Sequence, residues 1–213
     1  SETTMFSDYL PQLVLAWSIQ AVGIMSPGPS VALILGVATS RGRLPSLVTA
    51  FGVACGSIVL SVATIIGLTA ILAQVAELMT VLRWLGAAYL AWLAFKAFRN
   101  AASATKILVE PVGRESAWRT GLAGFALQVS NPKAIMFWLA IASLGGVGDA
   151  PLPVVLLFVA VVFLNSFVGH GAYAVLLSSA PARNIYGRAR RYIESGLGCF
   201  FLFAGFKLAT TRL

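Results

Sequence analysis

The chain has 213 residues, of which 59% are hydrophobic and only 10% are charged, and its mean hydropathy is +0.89. A soluble domain carries about 25% charged and about 45–50% apolar residues, so this composition excludes a soluble enzyme or binding module and specifies a polytopic membrane protein. The net charge of +8 does not point to nucleic acid, because the basic residues sit in short connections between apolar runs, as the positive-inside rule requires.

In chain order, apolar runs of about 20 residues predict six membrane-spanning helices. They lie at about 9–39, 45–73, 79–99, 117–146, 152–178 and 190–211. The first apolar run continues past Pro29 for a full span, so a cleavable leader is not expected. The first connection carries Arg41 and Arg43, and the second only Glu77 before Arg83. The third carries Lys96, Arg99, Lys106, Arg114 and Arg119, the fourth only Asp149, and the fifth Arg183, Arg188, Arg190 and Arg191. Basic connections are the odd ones, which places them in the cytoplasm and both termini outside. Glu2 and Asp8 agree with that orientation, whereas Arg212 runs against it.

The third connection, about 100–116, is the only long one and is too short for a separate domain. The chain is therefore expected to form one transmembrane domain over 1–213, with halves at about 5–105 and 106–213. Three helices per half make the second half enter from the opposite side, the arithmetic of a 3+3 inverted repeat. Two echoes support it. Ser26-Pro27-Gly28-Pro29 in the first helix matches Ser130-Asn131-Pro132-Lys133 in the fourth, and Leu93-Ala94-Phe95-Lys96 in the third matches Ala204-Gly205-Phe206-Lys207 in the sixth.

The first pair carries the chemistry. Proline lacks an N–H and breaks a helix, and in lipid the backbone groups it frees must find partners inside the protein. Asn131-Pro132 reads as an N-cap followed by proline at the first helical position. Gly28-Pro29, or Ser26-Pro27 before it, reads the same way. Helices 1 and 4 are thus expected to be broken, each offering a fresh helix N-terminus near mid-membrane. Such termini bind anions, and the C-terminal carbonyls of the preceding half-helices can accept from an ammonium group. The pair suits a zwitterion.

Lys133 falls near the centre of the fourth helix, where a charge costs about 2.5–3.5 kcal/mol on insertion scales. It reads as a carboxylate anchor, as a charge that moves during transport, or as a structural cation held by freed carbonyls. His170, the only histidine, reads either as a proton carrier or as an interhelical hydrogen-bond partner. Asn165 reads as a substrate contact or a helix tie. Gln20 and Gln128 precede the breaks and read as caps for freed backbone groups, with Gln128 beside the substrate. Tyr89 and Tyr173 are weaker candidates. The substrate-contacting set is Ser26, Pro27, Gly28, Pro29, Ser30, Gln128, Asn131, Pro132, Lys133 and Asn165, with His170 and Lys133 assigned to proton coupling.

Other features read as packing. Gly52 and Gly56 form a GxxxG that permits close helix approach within the protomer or across a dimer. Trp17, Trp84, Trp118 and Trp138 lie near span ends, where some suit an interfacial belt. Cys55 and Cys199 lie on different helices and read as small packing residues. Glu77, Glu110, Glu115, Asp149 and Glu194 all fall in connections or near helix ends, so no carboxylate is expected at mid-span. That argues against a metal site and against a dibasic substrate, and favours a neutral or zwitterionic one.

With the Pro-Gly-Pro motif at Ser26-Pro27-Gly28-Pro29, the basic Arg41-Gly42-Arg43 and Ser130-Asn131-Pro132-Lys133-Ala134, the whole chain resembles the LysE/RhtB family of amino acid exporters. The resemblance implies an inner-membrane exporter of amino acids or close relatives, driven by the proton-motive force, without a cofactor and assembled as a homodimer. Other classes fit less well. A membrane thiol–disulfide electron carrier needs a cysteine at each break, and the breaks carry Gly28 and Lys133 instead. A metal-ion exporter of related architecture needs membrane carboxylates. An intramembrane aspartyl protease, matched by Gly146-Val147-Gly148-Asp149, needs two aspartates sharing a proton, and the second one, Asp8, is at the N-terminus.

Overall fold

The computed structural model describes residues 2–26, 28–72, 76–103, 116–142, 147 and 150–210. Among them the secondary structure is entirely helical: α1 Glu2–Met25, α2 Pro29–Arg41, α3 Arg43–Leu72, α4 Ala76–Ala102, α5 Ala117–Ser130, α6 Pro132–Ala142, α7 Leu152–Leu176 and α8 Ala180–Thr210. Both expected interruptions are present, between α1 and α2 and between α5 and α6. The third connection with Lys106, Glu110, Arg114 and Glu115, the Gly146, Gly148 and Asp149 of the protease-like motif, and Arg212 lie outside the described residues.

Three helices are long and apolar enough to cross a membrane on their own: Arg43–Gly67 within α3, Leu152–Leu176 and Ala180–Thr210. Ser7–Met25 and Pro29–Arg41 qualify together as one span bent by 48°. The described helices thus supply three clear spans, or four counting the bent pair, against six expected. The physical reasons are specific. The α4 sequence carries Glu77, Arg83, Lys96 and Arg99 within 27 residues. The fourth expected span is divided into pieces of 14 and 11 residues.

Two connections are shorter than the sequence indicates. Gly42 alone links α2 to α3, at φ 87, with its N–H donating to the Ala38 carbonyl at 3.2 Å. A positive φ of this kind favours glycine. The α8 helix begins at Ala180, so the expected fifth connection shrinks to Leu177–Ser179, and Arg183, Arg188, Arg190 and Arg191 lie on the helix. The Arg183 guanidinium donates to the Leu177 carbonyl at 2.9 Å, closing the preceding helix end.

Small residues set the packing. A Cβ on Gly52 would collide with the Gly121 carbonyl of α5, and one on Gly56 would lie 2.8 Å from the Gln128 Cβ. The GxxxG therefore serves contact between α3 and α5 within the protomer. Gly205 of α8 likewise sits against Leu90 of α4, its Cβ position 3.3 Å from the Leu90 Cβ. Phe137, Trp138, Phe158 and Phe201 fill the main core beside Leu13, Ile19 and Leu90. Trp138 is thus a core residue rather than a belt residue, while Trp84 and Trp118 are exposed. Phe95, Leu152 and Phe206 also face outward, an apolar exterior suited to lipid. Cys55 and Cys199 are unpaired.

Candidate substrate site at the two helix breaks

The second break has the predicted local chemistry. Asn131 is extended, at φ −72 and ψ 112. Its side-chain Oδ1 accepts from the Lys133 N–H at 3.0 Å, and its carbonyl accepts from Ile135 N–H at 3.0 Å. Pro132 follows at the first helical position, where no donor is required. At the first break, Ser26 N–H still bonds the Val22 carbonyl at 3.2 Å, and α2 restarts with Gly28 as cap and Pro29 next. The Gly28 carbonyl accepts from Ala32 N–H at 2.9 Å. Pro27 lies outside the described residues. Pro29 and Pro132 are exposed, so their part is to shape the backbone.

Lys133 joins the two breaks. Its ammonium donates to the Ser26 carbonyl at 2.6 Å and the Gly23 carbonyl at 3.2 Å. In an uninterrupted helix, Gly23 would receive the N–H of residue 27, and proline has none to give. The lysine therefore supplies the donor that the proline removes, as a cation at a helix C-terminus. The carbonyls expected to await a substrate ammonium are occupied by the protein's own. Tyr173 donates to the Met25 carbonyl at 2.6 Å, and Tyr89 to the Lys133 carbonyl at 3.4 Å. Both tyrosines, weak candidates in sequence, contact the break backbone.

A continuous polar chain leaves the breaks on one side. Asn131 Nδ2 donates to Ser30 Oγ at 3.4 Å, Ser30 Oγ to Gln128 Oε1 at 3.0 Å, and Gln128 Nε2 to Ser57 Oγ at 3.1 Å. Ser57 Oγ lies 3.0 Å from Ser166 Oγ, which is 3.3 Å from His170 Nδ1. The chain thus runs from the α5–α6 break through α2, α5 and α3 to α7, and all six residues are buried. Ser57 and Ser166 were not singled out in the sequence. The available signals were weak: Ser57 follows the Gly56 of the packing motif, and Ser166 precedes His170 by one helical turn. His170 Nδ1 is 2.9 Å from the Ser166 carbonyl. A carbonyl only accepts, so that contact puts the proton of the neutral ring on Nδ1 and leaves Nε2 as its acceptor nitrogen.

Gln20 and Gln128 do not cap the broken backbone as expected. Gln20 Nε2 donates to the Val162 carbonyl at 2.9 Å and its Oε1 accepts from Asn165 at 3.3 Å. Partners across the bundle outcompete the local backbone. Asn165 also donates to the Trp17 carbonyl at 3.2 Å, so it ties α7 to α1. It lines a separate, largely apolar cavity between α1, α7 and α8 rather than the space at the breaks.

Two cavities flank the breaks and share Ser26, Gly28, Asn131 and Lys133 in their walls. The one toward α3 and α7 has a volume of about 60 Å³ and includes Gln20, Ser57, Gln128 and His170. The one toward α4 and α8 has about 210 Å³ and adds Tyr89, Lys96, Asn100 and Glu194. Glu194 corrects a sequence expectation. Because α8 starts ten residues earlier than its hydropathy indicates, Glu194 sits near the middle of a 31-residue helix and is 1% exposed. Among the described residues no cluster of His, Cys, Asp or Glu has the makings of a metal site.

The model of LysE type translocators matches residues 21–212, which include both breaks. The threonine efflux protein of Salmonella typhi is 28% identical over 204 residues, covering 91% of this chain and 95% of its own. That of Escherichia coli K12 is 27% identical over 196 residues, with the same coverage. The cysteine/O-acetylserine efflux protein of Salmonella paratyphi A is 31% identical over 135 residues, 62% of this chain and 65% of its own. No solved structure matches. On the family match across nearly its whole length, the chain belongs to the LysE type translocators, membrane transporters rather than enzymes.

Proposed function

We propose that this protein exports small neutral amino acids, of the threonine and cysteine-derivative kind, from the bacterial cytoplasm across the inner membrane. The observation that carries the reading is Lys133, an ammonium on one broken helix bound to the freed carbonyls of the other. A substrate carboxylate that enters the shared wall draws this ammonium toward itself and weakens the link between α6 and α1. The same carboxylate meets the helix N-termini at Gly28 to Ser30 and Asn131 to Ala134. Ser26, Pro27, Pro29, Pro132 and Gln128 shape or border that wall. Asn165 acts as a tie.

In this reading the chain is one transmembrane domain of six spans, α1–α2, α3, α4, α5–α6, α7 and α8, with both termini outside. Its halves, about 5–105 and 106–213, form an inverted repeat that rocks to alternate access. Two features support the repeat. Equivalent helices of the two halves are packed together, α3 on α7 and α4 on α8. The Leu93-Ala94-Phe95-Lys96 and Ala204-Gly205-Phe206-Lys207 echoes also share one pattern of two buried residues followed by two exposed ones. Coupling to protons is assigned to His170, at the far end of the polar chain from Asn131. A homodimer is the expected assembly.

Efflux from proteoliposomes loaded with a panel of amino acids, with and without a pH gradient, tests the function. Selective efflux of threonine-sized neutral amino acids, accelerated by the gradient, is the expected result. Absence of efflux for every member of the panel overturns it. His170→Gln tests coupling separately: a flattened pH dependence is expected, and an unchanged one removes the histidine from the mechanism.

A further inference from the structure

Glu194 holds an unusual position. Its Oε1 is 3.8 Å from Arg190 Nε and accepts from Asn100 Nδ2 at 3.5 Å, both long contacts. Its Oε2 is buried and has no hydrogen-bond partner. A buried carboxylate oxygen without a donor is costly, and an exception of this kind in a native protein calls for a role. The carboxylate lines the roomier cavity, which Lys133, Asn131 and Gly28 of the two breaks also line. One space of about 210 Å³ is thus lined by Lys133, by the helix N-termini and by this carboxylate, together with Lys96, whose ammonium lies over the Trp92 ring at 5.2 Å. The carbonyls of Gly23 and Ser26, the other acceptors at the breaks, are taken by Lys133.

We propose that Glu194 is the ammonium receptor of the transport site, with Oε2 accepting from the α-amino group of a substrate whose carboxylate faces Lys133 across the cavity. The proposal rests on the export reading above and adds the residue that makes the site choose amino acids over simple carboxylic acids. Lys133 and the helix termini recognise any small carboxylate. Only a substrate that also brings an ammonium satisfies Oε2, and a site left with an unpaired buried polar group rejects the analogue strongly.

The test compares L-threonine with 3-hydroxybutyrate, which is threonine without its amino group, in proteoliposomes containing the full chain. Wild-type protein should prefer threonine. Glu194→Gln keeps the shape but removes the charge, and should lower the preference for threonine over 3-hydroxybutyrate by about tenfold or more. Glu194→Asp should restore part of the preference. An unchanged preference in Glu194→Gln, as expected if Oε2 simply carries a proton, overturns the assignment. A second measurement needs no variant: threonine should protect Glu194 of the wild-type protein from modification by dicyclohexylcarbodiimide, and 3-hydroxybutyrate should not. Equal labelling with and without threonine overturns the assignment even if Glu194→Gln fails to fold. A wild-type protein that moves none of the amino acids overturns the export reading itself, whereas efflux with an unaltered Glu194→Gln preference overturns only the receptor.

Discussion

The two flanks of the helix breaks are built on opposite principles. Toward α3, α5 and α7, glycine contacts bring backbones together, and each hydroxyl or amide from Asn131 to His170 has a partner, leaving a cavity of about 60 Å³. Toward α4 and α8, the cavity is about 210 Å³, the Asn100–Glu194 contact is long, and one carboxylate oxygen has no partner. A saturated buried network fixes a geometry, and a partly satisfied one leaves a costly unpaired group. A void of about 60 Å³ admits a few waters, each needing about 10–15 Å³ by this measure. The larger one admits a small solute. The protein is tightly tied on one side of Lys133 and roomier on the other.

Substitutions should separate the flanks. Gly52→Val should have the largest effect, because its side chain must enter the Gly121 carbonyl of α5. No monodisperse protein is expected by gel filtration in detergent; a normal elution profile would mean that the close approach of α3 to α5 is dispensable. Gln128→Ala comes next. It removes the amide partner of both the Ser30 and Ser57 hydroxyls, which keep Asn131 and Ser166, and should cost about 0.5–1.5 kcal/mol for each hydrogen bond lost, read as a lowered Tm. Asn100→Ala, on the open flank, removes only a 3.5 Å contact and should lower Tm by much less. Equal losses would erase the distinction between the two sides. Gly28→Ala is smaller again: the new methyl would lie 3.1 Å from the Lys133 Cδ, a flexible chain that can give way. Threonine efflux should fall several-fold with Tm unchanged, and undiminished efflux would reduce the first break to a simple kink. Trp118→Ala, at an exposed position, should change stability by no more than about 0.5 kcal/mol.

Much of the site was legible because its signals are local. Asn131-Pro132 and Gly28-Pro29 each encode a cap followed by a helix restart, and the structure has both. Lys133 was conspicuous as a charge within an apolar run. What the sequence concealed depends on tertiary partners. Gln20 and Gln128 stand near the breaks in the chain, yet their amides bond across the bundle instead of to the nearby backbone. Ser57 and Ser166 are ordinary serines until α3 meets α7. Glu194 was misplaced because hydropathy marks where a helix becomes apolar, not where it begins, and the basic stretch from Ala180 onward is already helical. The same limit affects the span count, since α4 carries charges and α5 and α6 are each too short to cross alone.

The most direct measurement is threonine efflux by Lys133→Ala beside wild type, in proteoliposomes matched for folded protein. Losing a charged hydrogen-bonding anchor is worth about 1.5–3 kcal/mol, so efflux should fall about ten- to a hundredfold while the protein remains in the membrane. Wild-type efflux by that variant would contradict the assignment of the helix breaks as the substrate site and leave Lys133 as a structural cation that closes the end of α1.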